Sequence, residues 1–276
     1  MQLPDPLNKY FKIIFFKQFT NQDLLISWQD KFPELSSARK QIEDHFWDSY
    51  LKQYPESNLF NGNICRLIST EFNKTPIKLT LGPIQFKTHF FSLKKGNKFA
   101  ENLNEKPKTG LGVSTTIITS DDKILFMKRS DRVASNPGCF DVFGGHIDLE
   151  SHQLQSGDTT PDPFIAITRE LTEEIFLKQD QIDVLTGVGL IQNQINKQFE
   201  LIFSCFTKTD AETIIKDAEN ASDRCEYSHI IRIPNNTERL RLICLKYASE
   251  FSPSGLGSLW FHYLMQKSQK QINNPD

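Results

Sequence analysis

Residues 162–177 read DPFIAITRELTEEIFL. Asp162 and Pro163 have the form of a helix start, a capping carboxylate followed by proline at the first helical position. From there, at ~100° per residue, Phe164, Ile167, Leu171 and Ile175 gather on one face. Glu170, Glu173 and Glu174 occupy a neighbouring arc of roughly 100°. Carboxylates at this spacing repel one another by roughly a few tenths of a kcal/mol per pair on an exposed surface. A solvated face tolerates that cost. A hard divalent cation reverses it, because Mg²⁺ takes oxygen ligands and keeps waters that a phosphate can replace. The helix alone leaves both readings open.

The run PGCFDVFGGHID (137–148) upstream adds the pair Gly144-Gly145, where backbone can approach a metal or phosphate closely. Together GGHID and RELTEE resemble the Nudix hydrolase box: Gly, five residues, Glu, seven residues, then R-E-U-x-E-E-x-G-U with U aliphatic. Arg169, Glu170, Leu171, Glu173, Glu174 and Leu177 fall in place. The sequence also departs from the pattern. Phe176 stands where the box has glycine, and Phe143 where proline usually precedes the glycine pair. Gly145 and Arg169 are 24 positions apart where the pattern has 14, so about ten residues are inserted. Pro161 occupies the place of the first box glutamate, for which Glu150, Asp158 or Asp162 are substitutes that nothing in the sequence selects.

The likeness extends, more weakly, over about residues 36–245. LGVSTTIITSDDKILFMKRSDRVASNPGCFDVFGGHID is similar to the UDP-glucose and UDP-galactose diphosphatase branch of animals and plants, which carries a long loop inside the box. This resemblance implies a set of roles. Phe60 and Phe86 would contact the uracil ring, and Arg129 would grip the diphosphate. Ala134 would leave room beside the ligand, and Asp141, His146 and Asp148 would meet sugar hydroxyls. Glu226 would hold a water, a metal or the substrate. Phe86 replaces a tyrosine of the branch, SLK (92–94) replaces GTN, and Asp148 replaces a glutamate. The implied reaction is Mg²⁺- or Mn²⁺-dependent hydrolysis of a UDP-hexose to UMP and sugar 1-phosphate. Glu170 and Glu174 are the expected metal ligands, with Glu173 completing the cluster. Glu173 or Glu226 is the expected general base, with Glu170, Glu173 and Glu226 as the catalytic set. Arg169 is expected to orient a box carboxylate, and Gly145 to give the box its close backbone approach. Three rivals stand beside this reading. They are hydrolysis of another diphosphate such as ADP-ribose or a dinucleotide, a binding module without turnover, and an isomerase using Cys139.

Composition sets the outer bounds. A chain of 276 residues with 38 % hydrophobic content, 22 Phe and 3 Trp can build a substantial core. A net charge of −2 carries no basic footprint, which argues against nucleic acid as a partner; the resemblance implies a small nucleotide sugar instead. The longest apolar runs, such as IIFF (13–16), fall far short of the roughly 20 residues that span a bilayer. Five scattered cysteines, none in C-x-x-C spacing, predict reduced thiols and a cytoplasmic protein. Oligomeric state is not legible.

The spacing predicts a helix over 36–54 with Ile42, Phe46, Trp47 and Tyr50 on its apolar side. It predicts strands at ICRLIS, IKLTLG and IQFKTHFFSL, then a hairpin across VSTTIIT, SDDK and ILFMKR. FDVF, VLTGVGLIQNQ, FELIFSCFT and HIIRIP read as further strands, ETIIKDAEN as a short helix, and RLRLICLKYASEF as a closing helix. The expected class is α+β. The resemblance makes it a Nudix-type α/β/α sandwich (106–276) with an N-terminal α/β extension (1–105) that contributes to the nucleotide site.

Overall fold

The computed structural model describes residues 2–55, 59–103, 106–149 and 160–273. Two strands make the spine of its main sheet, β5 (Leu111–Ile118) and β10 (Phe199–Thr207), which run parallel with Phe199 opposite Leu111 and Phe206 opposite Ile118. Every residue of β5 is buried, the pattern of a strand covered on both faces. Around this spine lie β1 (Phe11–Phe19), β9 (Ile182–Asn193), β6 (Lys123–Arg129) and β11 (Tyr227–Pro234), in the order β1-β9-β10-β5-β6-β11. Two short strands, β7 (Phe140–Asp141) and β8 (Phe143–His146), add to β6 and β5. A separate sheet orders β2 (Leu24–Trp28), β4 (Ile77–Gln85) and β3 (Asn63–Glu71).

Helices cover both faces of the main sheet, the α+β sandwich expected. Among the described residues these are α1 (Ser37–Gln53), α2 (Phe86–Leu103), α3 (Pro163–Ile175), α4 (Ala211–Asp217), α5 (Thr237–Lys246) and α6 (Pro253–Asn273). On one face Ile167, Leu171 and Ile175 of α3 pack among Val113, Leu201, Phe143 and Leu125. On the other, Leu256, Trp260 and Phe261 of α6 pack against Phe11, Ile191 and Ile202.

Several local expectations are corrected. IQFKTHFFSL is a strand only as far as Gln85; from Phe86 it is helical, because Phe86, Phe90 and Phe91 pack at helical spacing against Phe46, Trp47 and Tyr50 of α1. The polar stretch that follows continues this helix. RLRLICLKYASEF ends its helix at Lys246, and the closing helix is α6, a 21-residue element that the sequence reading left out. FKIIFFKQF (11–19) forms edge strand β1, paired antiparallel with β9. In α1, Ile42 is exposed, whereas Arg39 and Glu43 are buried with Trp47.

Candidate active site

Helix α3 starts as its sequence predicts. Asp162 accepts hydrogen bonds from the Phe164 and Ile165 amides, and Pro163 opens the helix. It stops at Phe176, held in the left-handed conformation (φ 58°, ψ 22°), while the Leu177 amide reaches back 3.1 Å to the Leu171 carbonyl. That backbone state is the one glycine adopts without cost. The departure from the box glycine therefore changes the residue and keeps the geometry.

The glycine pair and the carboxylates are built against each other. Gly144, at φ 152°, presses on the backbone of β5 and donates its amide to Glu174 Oε2 at 2.8 Å. A Cβ on Gly145 would lie 2.5–2.6 Å from the carboxylate atoms of Glu170, so that carboxylate occupies the space a side chain would take. Glu170 Oε1 accepts from Arg169 Nη2 at 2.5 Å, and the same nitrogen donates to the His146 carbonyl at 2.9 Å. Arg169 thus ties Glu170 to the backbone of β8. Glu174 is 1 % exposed, and its Oε1 has no hydrogen-bond partner. Burial, then the Glu170 and Glu226 charges, push its carboxyl well above the usual range. Burial raises Glu170 to about 7 despite Arg169.

Glu173 behaves differently. Its side chain is 37 % exposed, and Oε2 lies 3.3 Å from Arg169 Nε, close enough to pair as charges though not aligned as a hydrogen bond. Among the described residues, no three His, Cys, Asp or Glu side chains group so as to hold a metal ion. The fit is to Glu170 and Glu174 as a pair, with the orphaned Glu174 oxygen as the buried ligand atom. Mg²⁺ commonly takes one or two carboxylates and fills its other positions with water and phosphate. Of the substitutes for the first box glutamate, Asp162 is engaged at both oxygens, capping α3 and accepting from Asn21 Nδ2 at 2.9 Å. Glu150 and Asp158 lie outside the described residues.

Arg129, at the end of β6, gathers three other expected residues. Its Nη1 lies 3.4 Å from Asp141 Oδ2 and its Nη2 4.0 Å from Glu226 Oε2, while Nε donates to the Ser135 carbonyl beside Ala134. Asp141 is buried, and its Oδ1 accepts from the Val142 amide and the Ser252 hydroxyl at the start of α6. Its oxygens are spent within the protein. Glu226, 43 % exposed, is held near α3 by two neighbours: the Asp223 amide donates to the Glu173 carbonyl, and the Tyr227 hydroxyl to the Glu174 carbonyl. Burial and Asp141 raise the Cys139 thiol, which leaves it a poor nucleophile for the isomerase reading.

The N-terminal region meets the box at His146. The His146 ring stands 4.6 Å from that of His89, which is 5.8 Å from Phe86. The Gly110 amide donates to His89 Nδ1, so the proton of this fully buried, neutral ring sits on Nε2, where it has no partner. Phe60 is 67 % exposed, with its ring against Gly62, whose carbonyl accepts from the Phe86 amide. Both aromatic candidates thus lie beside one turn. Asp148 bridges to Ile64 of β3, and the Cys65 amide donates to the Ile147 carbonyl.

Curated proteins that resemble this chain point the same way. A human protein described as uridine diphosphate glucose pyrophosphatase NUDT22 is 24 % identical over 170 residues, covering 57 % of this chain and 55 % of its own length. Nudix hydrolase 9 of Arabidopsis thaliana is 25 % identical over 134 residues, covering 44 % of this chain and 43 % of its own length. The chain is Nudix-like. The Nudix-like chain thus spans about half the length of the curated relatives it matches, and no family model matches it. Among solved structures, a Nudix hydrolase from Nitrosomonas europaea matches 58 % of this chain and 91 % of its own at 18 % identity and a TM-score of 0.37.

Three polar groups of this region were not singled out by the sequence reading: His89, Glu200 and Ser252. Each is buried, and each sits in an otherwise apolar or mixed segment. The one local signal is Glu200 in FELIFSCFT, a charge at a position that alternation assigns to a covered sheet face.

Proposed function

We propose that this protein hydrolyses the diphosphate of a nucleoside diphosphate derivative, with UDP-hexoses as substrates and UMP and sugar 1-phosphate as products. The observation that carries the reading is the buried, partnerless Glu174 Oε1 beside a Glu170 carboxylate that lies where a Gly145 side chain would be. Uncompensated burial of a carboxylate costs several kcal/mol in general, and a divalent cation removes that cost. Glu170 and Glu174 would hold Mg²⁺ or Mn²⁺, which would supply charge neutralisation for the diphosphate and activation of a water.

The chain's own groups do the rest. Arg169 holds Glu170 in place through its 2.5 Å bond. Arg129 supplies a planar cation for phosphate oxygens and is itself positioned by Asp141 and Ser135. Glu226 is the general base: it is half-exposed, its pKa is raised by burial, and it faces Arg129, whereas Glu173 is turned to Arg169. Phe60 and Phe86 flank the uracil. The likeness to the human UDP-glucose pyrophosphatase supports the choice of nucleotide. A binding module without turnover is favoured by Pro161 at the place of the first box glutamate and by the absence of a three-carboxylate group among the described residues.

The test is UMP release from UDP-glucose and UDP-galactose with Mg²⁺, with ADP-ribose and NADH alongside. The expected result is turnover of the UDP-sugars that Glu174→Gln lowers by about 10²–10³-fold, several kcal/mol of lost charge stabilisation. Turnover of a different diphosphate overturns the substrate. Binding of UDP-sugars without any turnover overturns the enzyme.

A further inference from the structure

Helix α6 opens against Asp141. Ser252 stands just before its first turn, where the Ser252 hydroxyl accepts from the Gly255 amide at 2.9 Å, the bond of a helix cap. The same hydroxyl donates to Asp141 Oδ1 at 2.5 Å. The Val142 amide also donates to that oxygen at 2.9 Å, and the Ser254 hydroxyl stands 3.5 Å from it. Gly255 leaves the room for this: a Cβ there would lie 2.8 Å from Oδ1 and 2.9 Å from the Asp141 Cα. Backbone contacts fix the junction. The Ser252 amide donates to the Phe140 carbonyl at 2.8 Å, and Phe251 bridges to Phe140 in parallel. Ser252 is fully buried and Asp141 only 5 % exposed, so water does not compete for these bonds.

The two oxygens of Asp141 are therefore used unequally. Oδ1 is filled by α6 and the backbone, while Oδ2 faces Arg129, 3.4 Å from Nη1. An arginine beside a carboxylate frequently closes on both oxygens with its two-pronged fork. Arg129 does not. Its Nη2 lies 4.0 Å from Glu226 Oε2 instead, and its Nε donates to the Ser135 carbonyl. We infer that Ser252 is a positioning residue for phosphate binding: by occupying Asp141 Oδ1 it prevents two-point pairing of Asp141 with Arg129 and keeps Arg129 Nη2 beside Glu226, available to a diphosphate oxygen. The inference rests on the reading of Arg129 as the diphosphate grip. Burial raises the Asp141 carboxyl, and Arg129, Ser252 and the Val142 amide oppose that rise, so the contacts that orient it also favour its charged form. The C-terminal helix thus acts on the site without touching substrate.

Calorimetric titration of the full chain with UDP in the presence of Mg²⁺ tests this as a double-mutant cycle between Ser252→Ala and Arg129→Gln. Ser252→Ala is expected to weaken UDP by about tenfold, the scale of one hydrogen bond to a charged group. In Arg129→Gln, which has no fork to misplace, the same substitution is expected to change UDP affinity by less than about twofold. Ser252→Thr keeps the hydroxyl and is expected to stay within about threefold of wild type. A purely structural defect at the head of α6 weakens UDP by the same factor in both backgrounds, and that result overturns the inference. So does Ser252→Ala that binds UDP like wild type. Where Ser252→Ala does not fold, Asp141→Asn, nearly isosteric with the native residue, takes its place in the cycle: its loss is expected to disappear in Arg129→Gln, and an equal loss in both backgrounds overturns the inference. Wild type that binds no UDP, or Arg129→Gln that binds it as tightly as wild type, overturns the reading on which the inference rests.

Discussion

Two helices of this protein bury an arginine and glutamates, and they treat them in opposite ways. In α1, Arg39 and Glu43 form a 2.7 Å pair in which the groups around them are matched: Glu43 Oε2 accepts from Thr88, and Arg39 donates to Ser92 and to the Lys106 carbonyl. In α3, Arg169 serves Glu170, while Glu174 keeps one buried oxygen with no donor. The first arrangement is closed and ties α1 to α2. The second is open, and an open buried carboxylate is unfavourable unless a ligand completes it. Burial of charge alone therefore does not mark a site. The unmatched valence does.

The comparison is broken most sharply by Glu43→Ala, which strands the Arg39 guanidinium. It is expected to cost about 3–5 kcal/mol in denaturant unfolding while leaving the KM of the surviving folded enzyme unchanged. A loss of activity without loss of stability would place the α1 pair in the site. The glycine pair separates the same two qualities. Gly144→Ala adds a Cβ against the β5 backbone at a φ of 152°, for an expected cost of about 1–3 kcal/mol. Gly145→Ala first meets the Glu170 carboxylate, the end of a side chain and not backbone, so it is expected to cost less stability than Gly144→Ala and to weaken metal binding by about 10–100-fold.

The pH dependence of the metal-free protein sharpens the contrast further. Glu200 moves from an ordinary 4.5 to about 8, and Glu170 from 4.5 to about 7. Raised acids bind more protons in the folded state, so stability is highest below about 4.5 as far as these groups are concerned and falls as pH rises toward 8. Melting temperatures across that window are expected to decline, less steeply in Glu200→Gln. A rise over the same window would contradict the burial that raises these carboxyls. The smallest effect belongs to the helix end. Phe176→Gly relieves a left-handed φ of 58° and is expected to add about 1 kcal/mol, less whatever its ring contact with Lys178 contributes.

Much of α3 was legible because local rules govern it: the Asp162 cap, Pro163, and apolar residues at helical spacing all act within a few residues. The same holds for β5 and β10, whose β-branched and aromatic runs are long. What was hidden depends on contacts between distant segments. Nothing local says that Arg39 and Glu43 turn inward and Ile42 outward, since that follows from Thr88 and Ser92 of α2. Phe86 reads as strand by composition and becomes helix through packing on Trp47. Arg129, Asp141 and Glu226 were each singled out through resemblance, but their meeting is a product of the β6–β7–β11 pairing. Glu200 was missed because a glutamate in a strand reads as solvated until Gly112 is seen opposite it.

The central claim is that Glu170 and Glu174 form a divalent-metal site, and thermal unfolding with and without Mn²⁺ tests it most directly. At about a hundred times its dissociation constant, a ligand specific to the folded state adds ~2.7 kcal/mol. The account predicts that gain for wild type, and none for Glu174→Gln, which should be the more stable of the two without metal. Equal stabilisation of both proteins by Mn²⁺, or of neither, would contradict it.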